Sequence, residues 1–286
     1  MIDPLFRRQI ESLLQRALDE DLGTRGDCTS EALFTPTDMA EAVIRSKESG
    51  VLSGAYFLSP LFSRIDPSLS ISCRREDGAR LEPGSEICRI NGPVQGILAS
   101  ERTALNLLQR FSGIATLTAN YVAAIAHTQA RLLDTRKTTP GFRTFEKLAV
   151  LHGGGMNHRF GLFDMMLIKD THVKRCGGVK PALEKGFRAR GDAAIPKIEI
   201  EVQSVLEFDE ALSCKPDRIM LDNMSVGDMR QCVEKKHSMN ATVELEASGN
   251  ITLDTIAGVA ETGVDFISCG AIIHSARALD IHLVIV

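Results

Sequence analysis

The chain has 286 residues, of which 44% are apolar and 24% are charged, and its formal net charge is −4. This length allows one large domain or two moderate ones, and the acidic balance argues against a general nucleic-acid-binding protein. No run approaches the ~18 consecutive apolar residues of a membrane span. The seven cysteines are scattered and include no CxxC pair, which favours reduced thiols over disulfides or a zinc site.

The first part of the chain predicts a small α+β domain. Apolar residues at helical spacing over residues 5–21 predict an amphipathic helix without the plan of a secretory signal, so we expect a cytoplasmic protein. The segment GTRGDCTSEALF that follows is predicted to be a loop. Short alternating runs such as LSISC, bounded by DG and PG turn signals, then predict a mostly antiparallel sheet.

A helical stretch then runs from Ser100, a candidate N-cap, to His127, with Gly113 as a candidate break. We place the domain boundary within it. The prediction is an N-terminal domain over 1–112 and a second domain over 113–272. The apolar end of the tail, 273–286, needs covering and is expected to pack on the first domain.

After Ala130, short apolar runs alternate with helical stretches, which predicts βαβ units and a parallel sheet. The runs are Leu132-Leu133, Met165 to Ile168, Ile198 to Val202, Ile219 to Leu221, Val243 to Leu245 and Val264 to Ile267. Charged or small polar residues close most of these runs, and an α/β barrel would gather such strand ends at one mouth. A doubly wound sheet would usually have a GxGxxG motif after its first strand, and no such motif follows any of these runs. Six strands predict an open, incomplete α/β barrel.

The stretch from Asp134 to Lys169 carries six positive and three negative formal charges around the three glycines 153–155, which leave room for a backbone or a ligand. Its sharpest cluster comprises Arg136, Lys137, Arg159 and Lys169. Arginine forks bind carboxylate or phosphate groups, and lysine adds a compact charge. Ordinary surface charge is the alternative, but most of the cluster follows predicted strands. We therefore predict a pocket for a small polyanion.

Two carboxylates, Glu201 and Asp222, close adjacent predicted strands and are candidates to hold Mg²⁺ through water and substrate oxygens, or to accept hydrogen bonds from sugar hydroxyls. Ion pairing with the basic cluster is the alternative. Glu199 shares a strand face with Glu201, one layer deeper, so the choice between them depends on register. His158 either donates to an anion or orders its loop. No histidine pair has metal-ligand spacing.

The segments ASGN (247–250) and SCGA (268–271) follow the last two predicted strands, where small residues leave backbone N–H groups open to a phosphate. No nucleophile elbow, Cys/His pair or P-loop occurs. Together these features predict a sugar-phosphate ligand, Mg²⁺, and group transfer by charge stabilisation.

These motifs resemble those of the quinolinate phosphoribosyltransferase family, in the same order and over nearly the whole chain. The matching segments are SERTALN (100–106), DTRKTTPG (134–141), HGGGMNHRFGL (152–162), LIKD (167–170), LDNM (221–224), LEASGN (245–250) and TGVDFISCGAIIHSARALD (262–280). The resemblance implies a type II phosphoribosyltransferase, with an N-terminal α+β sandwich domain and an open α/β barrel. The implied reaction joins quinolinate and phosphoribosyl pyrophosphate to give nicotinate mononucleotide, pyrophosphate and CO₂, for NAD synthesis.

The resemblance also implies residue roles. Lys137, Glu201 and Asp222 are the expected catalytic residues, and the last two would hold Mg²⁺ partly through substrate and water. The expected substrate-binding set is Arg102, Thr135, Arg136, Lys137, His158, Arg159, Lys169, Glu201, Asp222, Ser248, Gly249, Asn250, Cys269, Gly270 and Ala271. A cytoplasmic homodimer or higher oligomer is implied, with Arg102 reaching the partner's pocket.

Two departures from the family pattern are small: Thr171 stands where Asn is frequent, and Cys269 where a small apolar residue is common. Two rival functions stay open. One is a paralogous pyrophosphorylase of the same fold that is linked to molybdate transport and uses a different base. The other is a non-catalytic metabolite-binding regulator, which would need no Glu201–Asp222 pair.

Overall fold

The computed structural model describes residues 4–192 and 197–286, and the chain divides into two compact units. The first comprises Met1–Thr116 together with Ala276–Val286, and the second is Leu117–Ser275. Among the described residues, no helix combines the length and the apolar run that crossing a lipid bilayer requires.

The first unit is built on an antiparallel sheet of four strands in the order β12-β1-β5-β3. Its strands are β1 Met39–Ser46, β2 Gly50–Val51, β3 Ser70–Cys73, β4 Arg80–Leu81, β5 Glu86–Pro93 and β12 Ile281–Ile285, of which β2 and β4 pair separately. The last strand pairs with the first, with Val284 opposite Val43. The C-terminal tail is therefore an integral strand of this unit.

The helices of the first unit supply the apolar layer over the sheet. They are α1 Pro4–Leu22, α2 Cys28–Leu33, α3 Leu58–Ile65 and the beginning of α4 Val94–Ala124. The prediction of a loop over GTRGDCTSEALF was wrong for α2. Asp27 caps this helix by accepting hydrogen bonds from the backbone N–H groups of Thr29 and Ser30. An aspartate followed by a short run of polar residues is a helix start as well as a turn signal.

Helix α4 begins before Ser100 and continues through Gly113, so two details of its prediction were wrong. Ser100 lies buried inside the helix, and its hydroxyl donates to the carbonyl of Gly96 at 2.8 Å. Gly113 does not break the helix. A Cβ atom there would lie 1.9 Å from the carbonyl oxygen of Arg277, so glycine is needed where the returning tail crosses.

The second unit contains a parallel sheet of six strands in the order β6-β11-β10-β9-β8-β7. The strands are β6 Arg131–Leu133, β7 Met166–Ile168, β8 Ile198–Val202, β9 Arg218–Asp222, β10 Glu244–Ser248 and β11 Phe266–Ser268. The strands from β7 to β11 are neighbours in chain order, and the first strand, β6, pairs with the last, β11, as in a barrel. A doubly wound sheet would reverse its order near the middle. The predicted incomplete barrel is therefore confirmed.

The barrel is open between β6 and β7, which do not pair. Met156 lies on this edge of β6: its N–H donates to the Leu132 carbonyl at 2.8 Å, and its own carbonyl accepts from the Asp134 N–H at 3.1 Å. The helices of the unit, besides the end of α4, are α5 Arg143–His152, α6 Asp170–Cys176, α7 Val179–Asp192, α8 Val205–Cys214, α9 Val226–Ser238, α10 Ile256–Ala260 and α11 Ala271–His274. All parallel strands thus end at the same rim, where the predicted site residues follow them.

Candidate active site

A cavity of about 470 Å³ opens at the carboxyl ends of the barrel strands. Nine predicted site residues line it, drawn from strands β8, β9 and β10 and from the segments that follow β6, α5 and β7. They are Thr135, Arg136, Lys137, His158, Arg159, Lys169, Glu201, Asp222 and Ser248. Residues far apart in the chain therefore meet at one mouth, as the strand-end argument predicts.

A larger cavity, of about 740 Å³, lies at the opposite end of the strands and contains none of the predicted site residues. Its lining mixes the cation Arg131 with the acids Glu244, Glu261 and Asp265. The smaller cavity is the candidate active site because it holds the convergent cations and carboxylates at the end of the barrel where ligands bind.

Arg136 is the most informative cation of the site. Its Nε and Nη1 atoms are buried, and no acceptor for either lies among the described residues. Buried polar groups are usually hydrogen-bonded, so two unused donors on one guanidinium group point to absent anionic partners. Arg159 is tethered differently, since its Nη1 donates to the Met165 carbonyl at 3.1 Å. Burial, followed by the nearby Arg136 charge, lowers the pKa of Arg159.

The carboxylates occupy two layers. Glu201 and Asp222 line the cavity, and the Glu201 carboxylate lies 3.4 Å from Lys169 Nζ. Asp222 accepts hydrogen bonds from the side-chain amides of Gln203 at 3.4 Å and Asn223 at 3.0 Å. Glu199 is fully buried and does not line the cavity. The register of β8 therefore places Glu201 at the mouth and Glu199 beneath it, which the sequence had left open.

Below the mouth lies a charged cluster that the sequence did not predict as a unit. His158 Nε2 lies 3.0 Å from Glu199 Oε2 and 3.5 Å from Glu246 Oε2, and Arg218 donates to Glu246 at 2.8 Å. Burial raises the pKa of both Glu199 and Glu246 to about 7. These residues come from three strands and a loop, so their proximity depends on barrel closure rather than on spacing along the chain.

His158, Glu199 and Glu246 offer ligand atoms within 4.8 Å of one another, but their hydrogen bonding does not suit a metal. The His158 Nδ1 atom accepts from the Arg159 N–H at 2.8 Å, so the neutral ring carries its proton on Nε2, facing the carboxylates. A metal-bound histidine usually donates from its second nitrogen instead. The Nδ1 atom of His158 is thus fixed by a backbone hydrogen bond, and Nε2 faces the carboxylates.

The glycine-bearing turns after β10 and β11 are tightly formed. Gly249 has a φ of +98°, and a Cβ atom there would lie 2.2 Å from the Asn223 side-chain oxygen. A Cβ atom on Gly270 would lie 2.9 Å from Lys137 Cδ. Backbone therefore approaches the cavity-lining lysine at Gly270, where a larger residue would displace it.

Six predicted site residues do not line the cavity. Gly249 and Asn250 form the turn after β10, and Cys269, Gly270 and Ala271 follow β11. The Cys269 side chain is buried, and its thiol donates to the Ile251 carbonyl at 3.4 Å, so the side chain takes no part in the cavity lining. Arg102 is exposed on α4 in the first unit. The cavity also includes Leu167, Asp170, Gln203, Met220 and Ser268.

The glycine triplet 153–155 contributes packing rather than ligand contact, because none of the three lines the cavity. Gly153 ends α5, and Gly154 has a φ of +86°. A Cβ atom on Gly155 would lie 2.8 Å from Val150 Cγ1 and 2.9 Å from Thr118 Cγ2. Of the two possibilities that the sequence left open, approach of the protein's own chain is the one observed.

Comparison with known proteins places this geometry in a family. Models of the N-terminal and C-terminal domains of quinolinate phosphoribosyl transferase match residues 27–112 and 114–284. A Bacillus subtilis protein named probable nicotinate-nucleotide pyrophosphorylase (carboxylating) is 39% identical over 275 residues, which cover 96% of this chain and 93% of the relative. A rice protein named nicotinate-nucleotide pyrophosphorylase (carboxylating), chloroplastic, is 40% identical over 288 residues, which cover 96% of this chain and 77% of the relative.

A solved structure described as the nicotinate-nucleotide pyrophosphorylase from Francisella tularensis superposes with a TM-score of 0.91 at 36% identity, covering 98% of this chain and 96% of that one. These matches favour neither the molybdate-linked paralogue nor the non-catalytic regulator. The two domain matches and the near-complete coverage show that this chain belongs to the quinolinate phosphoribosyltransferase family.

Proposed function

We propose that this chain transfers the phosphoribosyl group of phosphoribosyl pyrophosphate to quinolinate, with decarboxylation, in the cavity at the carboxyl ends of the barrel strands. The products are nicotinate mononucleotide, pyrophosphate and CO₂. The observation that carries this assignment is that two donors of Arg136, Nε and Nη1, are buried and unpartnered in the cavity that Arg159 and Lys169 also line. Quinolinate carries two carboxylates, which explains more cations than one carboxylate needs.

In this assignment Arg136, Arg159 and Lys169 bind the carboxylates of quinolinate, and His158 completes that side of the pocket. Thr135 and Lys137 lie on the pyrophosphate side. The 5′-phosphate is bound at the turns that follow β10 and β11. The proposed residues there are Ser248, Gly249, Asn250, Cys269, Gly270 and Ala271, acting mainly through backbone N–H groups because the Cys269 side chain is buried.

Glu201 and Asp222 are proposed to accept hydrogen bonds from the ribose hydroxyls and to hold Mg²⁺ partly through water and substrate oxygens. Both carboxylates line the cavity, and carboxylate oxygens are the ligands that Mg²⁺ prefers, so the residues suit the ion. When bound, Mg²⁺ would supply charge neutralisation for the pyrophosphate.

The chemistry follows from these placements. The bond from the ribose C1 atom to pyrophosphate breaks, and Lys137 stabilises the charge that develops on the departing oxygen. The quinolinate nitrogen, held nearby, forms the new bond to C1. The ring nitrogen is then positively charged and stabilises the electron pair that stays on the adjacent ring carbon when its carboxylate leaves as CO₂. A proton from solvent then takes the place of the carboxylate on that carbon. No separate decarboxylation cofactor is required.

Arg102 is proposed to reach the pocket of a partner subunit in a homodimer, and the protein is proposed to be cytoplasmic, as expected from the sequence. Mixing an Arg102→Ala protein with an Asp222→Ala protein tests the first point. If Arg102 acts across the interface, half of the sites in mixed dimers are intact, so roughly a quarter of the wild-type activity returns. Two inactive parents without any recovery would place Arg102 in its own subunit's site, whereas an active Arg102→Ala parent would place Arg102 outside the reaction.

The deciding assay is detection of nicotinate mononucleotide by NMR or mass spectrometry, with quinolinate, phosphoribosyl pyrophosphate and Mg²⁺. Nicotinate replaces quinolinate as a control substrate, because it lacks the second carboxylate. We expect product from quinolinate at far higher kcat/KM. Equal efficiency with nicotinate, or no product from quinolinate, would refute the assignment.

A further inference from the structure

Helix α5 follows the first cationic loop and carries three charged side chains, Arg143, Glu146 and Lys147. The sequence suggested that such charges belong to the polyanion pocket, but none of the three lines the cavity. Glu146 and Lys147 are buried, with Lys147 only 2% exposed. Long charged side chains are seldom buried unless they are paired, so the partners of these two residues indicate their purpose.

Lys147 forms an ion pair with Asp134, the residue that follows β6, at 2.5 Å between Nζ and Oδ1. Both members also hold the backbone of His158. The Lys147 ammonium donates to the His158 carbonyl at 3.0 Å, and the Asp134 carboxylate accepts from the His158 N–H at 2.8 Å. One buried ion pair therefore fixes both backbone polar groups of a cavity residue.

Asn157, the residue before His158, is hydrogen-bonded to the same Asp134–Lys147 pair. The Asn157 amide, assigned with its nitrogen facing these acceptors, donates to Asp134 Oδ2 at 2.7 Å and to the Lys147 carbonyl at 3.0 Å. The following N–H, of Arg159, donates to His158 Nδ1. The turn that presents His158 and Arg159 to the cavity is thus anchored at three successive residues.

The other two charges of α5 act on the same loops. Glu146 accepts from the N–H of Thr139 at 2.8 Å and from its hydroxyl at 2.9 Å. Arg143 donates to the Thr138 hydroxyl at 3.0 Å and to the Phe160 carbonyl at 3.1 Å. The helix is therefore connected to the loop that carries Arg136 and to the loop that carries Arg159.

A buried ion pair is weak evidence for a gain in stability, because desolvation of two charges offsets most of their attraction. We attribute a geometric role to this pair, because Asp134 and Lys147 each form a second hydrogen bond, to the backbone of His158 next to the pocket cation Arg159. Small displacements of binding groups have large effects on affinity.

We propose that Asp134 and Lys147 are positioning residues, which bind no substrate themselves but fix His158 and Arg159 in the geometry that receives the quinolinate carboxylates. This proposal rests on the proposed function of the cavity. It predicts a selective effect, because Lys137, Glu201 and Asp222, on the phosphoribosyl side, do not contact the pair.

The test uses two double variants of the full-length protein, so that neither charge is left buried alone. Asp134→Ala with Lys147→Met removes every bond to the His158 backbone. Asp134→Asn with Lys147→Met keeps an amide oxygen that can accept from the His158 N–H. The control is Lys236→Met, which breaks a more exposed pair at the opposite end of the barrel. Lys236 lies 2.7 Å from Asp265, whose carboxylate also accepts from a backbone N–H, that of Leu245.

The measurements are KM for each substrate, kcat, and thermal unfolding. For the alanine double variant we expect a rise of at least tenfold in KM for quinolinate and a change within about twofold in KM for phosphoribosyl pyrophosphate. The asparagine double variant should fall between it and the wild type. The control should keep both KM values, whatever its melting temperature.

An unchanged KM for quinolinate in the folded alanine variant, or an equal rise for both substrates, would overturn the proposal. If the alanine variant does not fold, the asparagine variant decides, and a quinolinate KM equal to that of the wild type would overturn it. Failure of the proposed function is a separate result, since it appears as no conversion of quinolinate by the wild-type protein.

Discussion

Replacing Arg136 by alanine should weaken quinolinate binding while leaving the free protein at least as stable. Its Nε and Nη1 atoms are buried and have no acceptor among the described residues, so the free protein already bears the cost of desolvating them. If carboxylate oxygens of the ligand accept from both donors, two charge-assisted hydrogen bonds form, worth about 1.5–3 kcal/mol each. Water in the truncated site offsets part of this loss, so we take the lower end, about 3 kcal/mol.

At 1.4 kcal/mol per tenfold, this loss corresponds to an increase in Kd on the order of 100-fold. Lysine at position 136 keeps the charge but not the fork, so it should lose one of the two bonds, or roughly tenfold. The assay is isothermal titration of quinolinate into each variant, paired with chemical denaturation. Alanine at the exposed Arg175 of α6 is the matched control and should change neither quantity.

A binding role and a structural role for Arg136 differ in how the Kd of quinolinate and the free energy of unfolding change. A binding residue predicts lower affinity with the free energy of unfolding unchanged or raised, whereas a structural residue predicts a fall in the free energy of unfolding. Quinolinate binding within threefold of the wild type in the alanine variant, or a loss of more than about 1 kcal/mol of stability, would refute the role assigned to Arg136.

Three further predictions concern other parts of the chain. Asp222→Asn should lower kcat by on the order of 100-fold in steady-state assays, with the Kd of quinolinate unchanged; an unaltered kcat would remove its catalytic role. Gly249→Ala should lower the free energy of unfolding by about 1–3 kcal/mol, because the φ of Gly249 is +98° and an added Cβ would collide with Asn223. It should also raise KM for phosphoribosyl pyrophosphate, and a wild-type KM would contradict the phosphate site. Cys73 lies 3.5 Å from Cys88, and the hydrogen bond between the two thiols lowers the pKa of Cys73. Half-maximal alkylation of Cys73 should therefore require a higher pH in Cys88→Ala than in the wild type.

The cavity was predictable from sequence because it depends on strand ends. Residues such as Lys169, Glu201 and Asp222 follow apolar runs directly, and parallel strands in a barrel must bring such positions to one rim. The open edge of the barrel was likewise indicated by the number of runs. The register of β8 was not, because Glu199 and Glu201 share a strand face and only the structure distinguishes the buried layer from the mouth.

Residue type alone did not distinguish charged side chains that line the cavity from those that hold its loops in place. Lys147 and Lys137 lie in the same basic stretch, yet one is buried against Asp134 and the other lines the cavity. Helical phase carries part of the missing information, since Glu146 and Lys147 occupy the buried side of α5. The cluster of His158 with Glu199 had no signal in the spacing, because closure of the barrel brings the two together.

The pairing of β12 with β1 has a consequence for biosynthesis. The strand that completes the first unit's sheet follows the second unit in the chain, so β1 lacks this outer neighbour while the second unit is being made. An unpaired strand edge invites pairing with other chains. Polypeptides in which β12 is not yet made, or has been removed, should therefore depend on chaperones more than the protein with β12 in place does.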